Sequence, residues 1–147
     1  MEKAISVINS DFVGRRLREI EEALSYMKLI LEKSEEEFTT SFESRLALKH
    51  LVLLTVESAA SIALHILSDK FKKRIESYGE AFEELSYNGV IKPETARGMA
   101  ALAKLRNLIV HRYWLVNDSR IYREAKASGM RLISKFVEEV REYVERG

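Results

Sequence analysis

The feature that most restricts the fold is a run of apolar residues at helical spacing from Phe42 to Leu67. Its apolar side chains cover most of the circumference that a helix of this length presents. Such a helix is either central in a bundle or buried in an oligomer interface. In a chain of 147 residues, we favour the interface and therefore predict a homodimer.

Helical periodicity continues on both sides of this segment, and the chain has one proline and six glycines, too few for a fold with many turns. The acidic run 35–37 is interpreted as a solvated helix end or connector. The other elements are, in order, a helix over 11–33, the apolar helix over 42–67, a short helix over 78–88 ending at Asn88-Gly89, a helix opened by Pro93, and a last helix capped by Asn117 or Asp118. These elements predict an all-α, up-and-down bundle of four long helices plus one short helix, forming a single domain over residues 1–147.

Composition narrows the class of protein further. The absence of cysteine excludes disulfides, thiol catalysis and thiolate metal sites. The N-terminal residues lack the apolar core of a signal peptide, and we expect no apolar run of membrane-spanning length. A cytoplasmic protein without a membrane partner is the expectation.

The net charge of +1 conceals an asymmetry along the chain. Residues 92–131 carry nine Lys/Arg against three Asp/Glu, about +6, which leaves about −5 for the remainder. One face of the protein could therefore bind a polyanion such as RNA, with Arg97, Lys104 and Arg112 as candidate contacts. Solvated helix faces explain the same charges equally well.

Few residues are suited to catalysis. The three histidines are His50, His65 and His111. The first two lie in the apolar helix, where a hydrogen-bonded core or interface histidine is the simpler interpretation. The chain has no HExxH pattern, carboxylate–histidine cluster, GxGxxG or Walker A loop, so we predict neither a metal site nor a cofactor.

His111 differs because of the residues beside it, in the string RNLIVHRYW from Arg106 to Trp114. On a helix, Asn107 and His111 share a face, whereas Arg106 and His111 are separated by about 140°. Arg106 and His111 could converge if the helix loosens near His111, or if a dimer brings two copies together. Tyr113 and Trp114 are otherwise expected to be core or interface aromatics.

These residue types suit RNA cleavage by the 2′-hydroxyl of the RNA itself. That reaction needs a base, an acid and a cation on the phosphorane oxygens, and it needs no metal. An imidazole serves as base or acid near neutral pH, a guanidinium contacts phosphate in bidentate fashion, and Asn107 could orient either the imidazole or the phosphate. A dimer would supply two histidines. The R-x4-H spacing alone is a weak signal.

The wider string resembles the R-[polar]-x3-H-x-Y signature of HepT-like toxins of the HEPN superfamily, on Arg106, Asn107, His111 and Tyr113. The resemblance extends upstream through residues 77–107, and it takes in Arg45 and the stretch VESAASIALHIL, residues 56–67. The first forty residues and the last helix match only as amphipathic helices.

The resemblance implies a homodimeric, metal-independent endoribonuclease toxin, with the Arg106 and His111 positions flanking a cleft between the two copies. It also implies a minimal nucleotidyltransferase antitoxin as partner, which silences the toxin by adenylylating the tyrosine at position 113. Arg112 stands where relatives commonly have an acidic residue, and it is either an extra phosphate contact or a solvated charge.

Two other functions remain open. One is a non-catalytic HEPN-like module that binds a nucleotidyltransferase partner or a nucleotide, which the intact Arg106, Asn107, His111 and Tyr113 set disfavours. The other is a helix-turn-helix DNA binder built around Asn88-Gly89. The segment after that turn is alanine-rich and apolar, with few groups able to read base edges.

Overall fold

The computed structural model describes residues 8–146, which contain helices and no β-strand. The helices are α1 (Ser10–Leu31), α2 (Glu35–Thr40), α3 (Phe42–Asp69), α4 (Tyr78–Tyr87), α5 (Pro93–His111), α6 (Asp118–Glu124) and α7 (Met130–Arg146). A 3₁₀ turn over Tyr113–Leu115 joins α5 to α6, and a π-helical segment over Ala125–Gly129 joins α6 to α7 without a break. The predicted all-α fold is confirmed, with α6 and α7 forming the predicted last helix.

Residues 35–37 lie at a helix end, in agreement with one of the two interpretations, but the helix that they belong to was not predicted. These acidic residues open α2, a separate short helix, so the bundle has one more short element than predicted. Ser34 and Glu37 form a reciprocal capping box there, because acidic side chains are favoured at a helix N-terminus. Phe38 then buries its ring against Tyr122 of α6, with the ring centroids 5.0 Å apart.

The predicted stop and start signals around α5 are confirmed. α4 ends at Tyr87, and Gly89 adopts a φ of 78°, a conformation that glycine reaches without a Cβ penalty. The Val90 N–H then donates to the Leu85 carbonyl at 2.8 Å. Pro93 is the first residue of α5. This turn folds α4 back against α5.

α3 lies between α1 on one side and α4 and α5 on the other. From Thr55 to Leu67 most of its side chains are buried, so this part is central in the bundle. Its N-terminal part differs, because Phe42, Leu46, His50 and Leu54 are exposed. We call these four residues the α3 outer stripe. A central position in the bundle therefore explains the apolar side chains from Thr55 to Leu67, whereas an oligomer interface at the N-terminal part of α3 stays a prediction.

α3 is also long and apolar enough to meet the length and hydropathy criteria for a membrane-spanning helix, with a mean hydropathy of 1.8. The expectation that no apolar run reaches that length is therefore wrong. Within the most apolar window, 61% of the residues are buried inside the bundle. A core helix meets the same criteria, because burial in protein and burial in lipid select the same side chains.

Candidate active site at the end of α5

The motif residues lie where α5 ends and the chain changes direction. His111 is the last residue of α5, and Arg112 leaves the helix with φ −142° and ψ 50°. The 3₁₀ turn over Tyr113–Leu115 follows, and the Asn117 side chain caps α6 by accepting from the Arg120 N–H at 3.0 Å. The predicted cap at Asn117 is thus confirmed.

Arg106 is held by contacts from three directions. Its Nη2 lies 2.7 Å from Oε2 of Glu57 on α3, and its Nη1 donates to Oδ1 of Asn107 at 2.9 Å. The Cζ atom lies 5.5 Å from the ring centroid of Tyr78, within cation–π range. The side chain is 23% exposed, so this is an oriented, half-buried guanidinium rather than a free surface charge.

Tyr78 and Glu57 are bound to each other as well as to Arg106. The Tyr78 hydroxyl donates to Oε1 of Glu57 at 2.9 Å. Burial, above all, raises the pKa of Tyr78 above its ordinary value, and the Glu57 carboxylate adds to this, while Arg106 opposes it. A phenol with a raised pKa stays protonated near neutral pH, so Tyr78 acts there as a hydrogen-bond donor.

His111 stands apart from this cluster. Its side chain is exposed and has no hydrogen-bond partner within residues 8–146. α5 stays α-helical through His111, so the helix does not loosen to bring Arg106 and His111 together. They lie about 140° apart around α5. Asn107, a candidate for orienting the imidazole, uses its side-chain oxygen for Arg106 instead.

The predicted basic contacts lie on the His111 side of α5. Arg97, Lys104 and His111 follow one another at seven-residue intervals and are all exposed, so they form one stripe about 21 Å long. Arg112, just beyond the helix end, is also exposed. The structure therefore separates a basic stripe that ends in His111 from an anchored Arg106 on another side of the same helix.

The aromatic residues after His111 are exposed rather than core. Tyr113 and Trp114 are 68% and 67% exposed, and their rings contact each other edge to face at 5.4 Å. The core alternative offered for these two residues is therefore wrong. Val110 and Leu115 add further exposed apolar surface beside them. The Tyr113 hydroxyl is thus on a surface that a modifying enzyme can reach.

The structure adds residues that the sequence did not single out. Glu57 and Tyr78 hold Arg106, and a signal for Glu57 existed, because no other Asp, Glu, Lys or Arg lies between Lys49 and Asp69. A single charge in so apolar a stretch marks a residue that could contact a charge on another helix. No comparable signal marked Tyr78.

A second ion-pair cluster fixes the far end of the turn. Asp118, the first residue of α6, lies 3.0 Å from Nζ of Lys49 and 3.5 Å from Nη1 of Arg45. Both cations come from α3, so this cluster ties α3 to the point where the 113–117 segment ends. Arg45 is one of the residues that carry the family resemblance, and in the structure it contacts Asp118.

The two other histidines lie in different environments. His65 accepts the Asn9 N–H at 3.0 Å, lies 3.2 Å from Asp69 and packs its ring at a tilt against Phe12, as expected of a satisfied structural histidine. His50 is exposed on the α3 outer stripe, so it is not a core residue. Among the described residues, no three His, Asp or Glu side chains are grouped so that they could hold a metal ion.

Comparisons with known proteins place these features in context. A family model described as Ribonuclease HepT-like matches residues 20–140, which includes the second half of α1 and most of α7. The chain is 30% identical over 110 residues to the tRNA nuclease HepT of Aphanizomenon flos-aquae, covering 75% of each chain.

Solved structures share the fold at lower identity. The tri-AMPylated HEPN toxin of Shewanella oneidensis, solved in complex with its MNT antitoxin, has a TM-score of 0.83 at 17% identity, covering 90% of this chain and 98% of that one. The cytosolic protein of unknown function YutE from Bacillus subtilis has a TM-score of 0.69 at 21% identity, covering 86% and 89%.

Proposed function

This chain belongs to the Ribonuclease HepT-like family, and we propose that it is the endoribonuclease toxin of a toxin–antitoxin pair. The observation that carries the proposal is the end of α5, where an oriented Arg106 guanidinium and an exposed His111 imidazole stand five residues apart. The proposed enzyme acts on RNA in the cytoplasm as one domain over residues 1–147, without metal or cofactor.

The proposed reaction is an internal transesterification. The RNA 2′-oxygen attacks the adjacent phosphorus as a base takes the 2′-proton. The bond from phosphorus to the 5′-oxygen breaks, and an acid returns a proton to that oxygen, leaving a 2′,3′-cyclic phosphate and a 5′-hydroxyl. His111 has the ordinary chemistry for the proton transfers, and Arg106 stabilises the charge that develops on the phosphorane oxygens.

A homodimer completes this site. One chain supplies a single His111, and that residue and Arg106 of the same chain lie on different sides of α5. A second copy related by a twofold axis would bring a second Arg–His pair to the same cleft. The exposed apolar α3 outer stripe and the exposed Tyr113–Leu115 turn support an interface here, because large apolar patches on a soluble protein mark association sites.

Substrate binding uses the basic stripe. Arg97 and Lys104 precede His111 along one side of α5, and Arg112 follows it. Contacts from such residues to the phosphates of an RNA strand position the substrate without reading its bases. Arg112 is therefore assigned to phosphate binding in this proposal.

Silencing by the antitoxin occurs at Tyr113. The phenolic oxygen would attack the α-phosphorus of ATP, with loss of the phenolic proton and departure of pyrophosphate. The AMP group would add negative charge and bulk beside the cations that bind RNA. Two observations support this assignment: Tyr113 is 68% exposed, and the Shewanella oneidensis toxin of the same fold is tri-AMPylated.

The test is a cleavage assay on total RNA with tRNA included, in excess EDTA, using protein made without an antitoxin. We expect the parent to cut and to leave cyclic-phosphate ends. Arg106→Ala and His111→Ala are each expected to lose at least about 100-fold in rate, the range for removal of a group that acts in the transition state. Arg18→Ala, an exposed arginine on α1, is the matched control and should cut like the parent.

No cutting by a folded, dimeric parent that is unmodified at Tyr113 would contradict the nuclease proposal. The non-catalytic binding module would then be the better description. Cutting that EDTA abolishes and added Mg²⁺ restores would instead contradict the metal-independent mechanism alone.

A further inference from the structure

We propose that Glu57 and Tyr78 are positioning residues, which hold the Arg106 guanidinium in the orientation that meets the RNA phosphate. The inference rests on the proposed function and adds two residues to it. Neither residue is in the Arg106–Tyr113 motif. They come from α3 and α4, whereas the motif lies on α5 and the turn after it.

Glu57 is the only Asp, Glu, Lys or Arg residue among the nineteen residues between Lys49 and Asp69, in the part of α3 where most side chains are buried. The Glu57 side chain is 44% exposed, so water still reaches the carboxylate. Both of its oxygens nevertheless have partners, since one lies against Arg106 and the other accepts from the Tyr78 hydroxyl.

The two contacts of Glu57 act together on Arg106. The Tyr78 hydroxyl fixes the carboxylate, and the carboxylate fixes Nη2 of the guanidinium at 2.7 Å. The ring of Tyr78 lies 5.5 Å from Cζ of the same guanidinium. Three helices thus restrain one long side chain, which free in solution would sample many rotamers.

The restrained Arg106 guanidinium still has N–H groups that could be donated to a phosphate. A guanidinium carries five N–H groups. One on Nη2 faces Glu57, one on Nη1 is donated to Asn107, and the Nε–H is buried with no acceptor in the described residues. One N–H remains on each terminal nitrogen, which is the number that a bidentate phosphate contact requires.

The same contacts predict opposite effects of Glu57 on binding and on catalysis. The carboxylate offsets the positive charge of Arg106, so its removal leaves a stronger net attraction for RNA. Its removal also frees the guanidinium from its fixed orientation, and a small displacement of a catalytic group is costly in rate. Removing a purely structural residue would not strengthen RNA binding while it slows cleavage, and its effect on the rate would not depend on the presence of Arg106.

The experiment is a double-mutant cycle on cleavage of a defined RNA, with kcat and KM measured separately. We expect Glu57→Ala to lower kcat about 10- to 100-fold while KM stays equal or falls. Tyr78→Phe keeps the ring and loses only the hydroxyl, so its loss in kcat should be smaller. Placed in the Arg106→Ala protein, Glu57→Ala should change kcat by less than about twofold, because it acts through Arg106.

Controls separate positioning from folding. Glu21→Ala removes a carboxylate from another interhelical ion pair, Glu21–Arg141, and should leave kcat unchanged. If Glu57→Ala does not fold, Glu57→Gln keeps the side-chain volume but cannot accept from both partners through separate oxygens. The positioning role would be overturned if the losses in kcat from Glu57→Ala and Arg106→Ala multiply in the double variant. It would also be overturned if folded Glu57 and Tyr78 variants keep the kcat of the parent.

A second measurement keeps this inference separate from the nuclease proposal. In ¹⁵N NMR spectra of the parent, the Arg106 guanidinium should show slowed rotation and resolved Nη signals, and in Glu57→Ala these signals should merge. A parent that fails to cut RNA but shows resolved signals contradicts the nuclease function alone. A freely rotating Arg106 in the parent contradicts the positioning role, whatever the activity.

Discussion

The two halves of the motif, separated by fewer than ten residues, have opposite environments. Arg106 is half-buried, with contacts to α3, α4 and its own neighbour Asn107. From His111 to Leu115 the side chains are all exposed, and the one aromatic contact of Tyr113 is to the adjacent Trp114. One half of the motif therefore lies within the bundle, and the other half lies at the surface.

This difference agrees with the roles that the proposed mechanism gives to each half. A group that stabilises transition-state charge is most effective when it is already oriented before substrate binds, because no reorganisation is then needed during reaction. A residue that a partner must reach, or that must meet a second copy, requires an exposed position. Folding orders the first half, whereas RNA, the second copy or the antitoxin would cover the second half.

The largest effect should come from changing the exposed tyrosine. After coexpression with a nucleotidyltransferase antitoxin, intact-mass and peptide measurements should find AMP on Tyr113, and Tyr113→Phe should remove that modification entirely. Tyr87→Phe is the matched control, since Tyr87 is 77% exposed at the end of α4. Modification that persists at full level in Tyr113→Phe would show that another residue is the acceptor.

An intermediate effect is expected from Trp114, as a test of whether the exposed turn is an interface. Trp114→Ala should weaken the dimer by about 2 kcal/mol, the size of an interface aromatic anchor, and should change the stability of the monomer by no more than about 0.5 kcal/mol. Sedimentation at several concentrations measures the first, and denaturation of dilute protein the second. Tyr87→Ala is the control. A dissociation constant equal to that of the parent would place the interface elsewhere.

The smallest effect is a pH dependence on the anchored side. Because the folded-state pKa of Tyr78 is raised, the folded protein favours the protonated phenol. That stabilisation is complete below the ordinary tyrosine pKa of about 10 and is lost as the pH rises through the folded value. Above about pH 10, the free energy of unfolding should therefore fall more steeply with pH for the parent than for Tyr78→Phe. The same pH dependence of the free energy of unfolding in both proteins would mean that the folded protein does not raise the pKa of Tyr78.

The motif was visible in the sequence, the contacts of its residues were only partly predictable, and their catalytic roles stay a prediction. The spacing of Arg106, Asn107, His111 and Tyr113 was visible in the sequence, as was the angle that separates Arg106 from His111 on a helix. The contact of Asn107 with Arg106, rather than with His111, was not visible. Asn107 is adjacent to Arg106 and lies on the same helix face as His111, so the sequence allows a contact with either. The position of the Arg106 guanidinium decides which contact forms.

The sequence by itself determined the long helices and α4, because helix periodicity, glycine and proline signals and caps are local properties of the chain; the short helix α2 was missed. The sequence placed Gly89 and Pro93 at the turn before α5, and it made α3 the apolar centre. The tertiary structure alone decided what holds Arg106. Glu57, Tyr78 and Arg106 are far apart along the chain, and the packing of α3, α4 and α5 brings their side chains together. Contacts between distant segments depend on how helices pack, and the pattern within any one helix does not specify them.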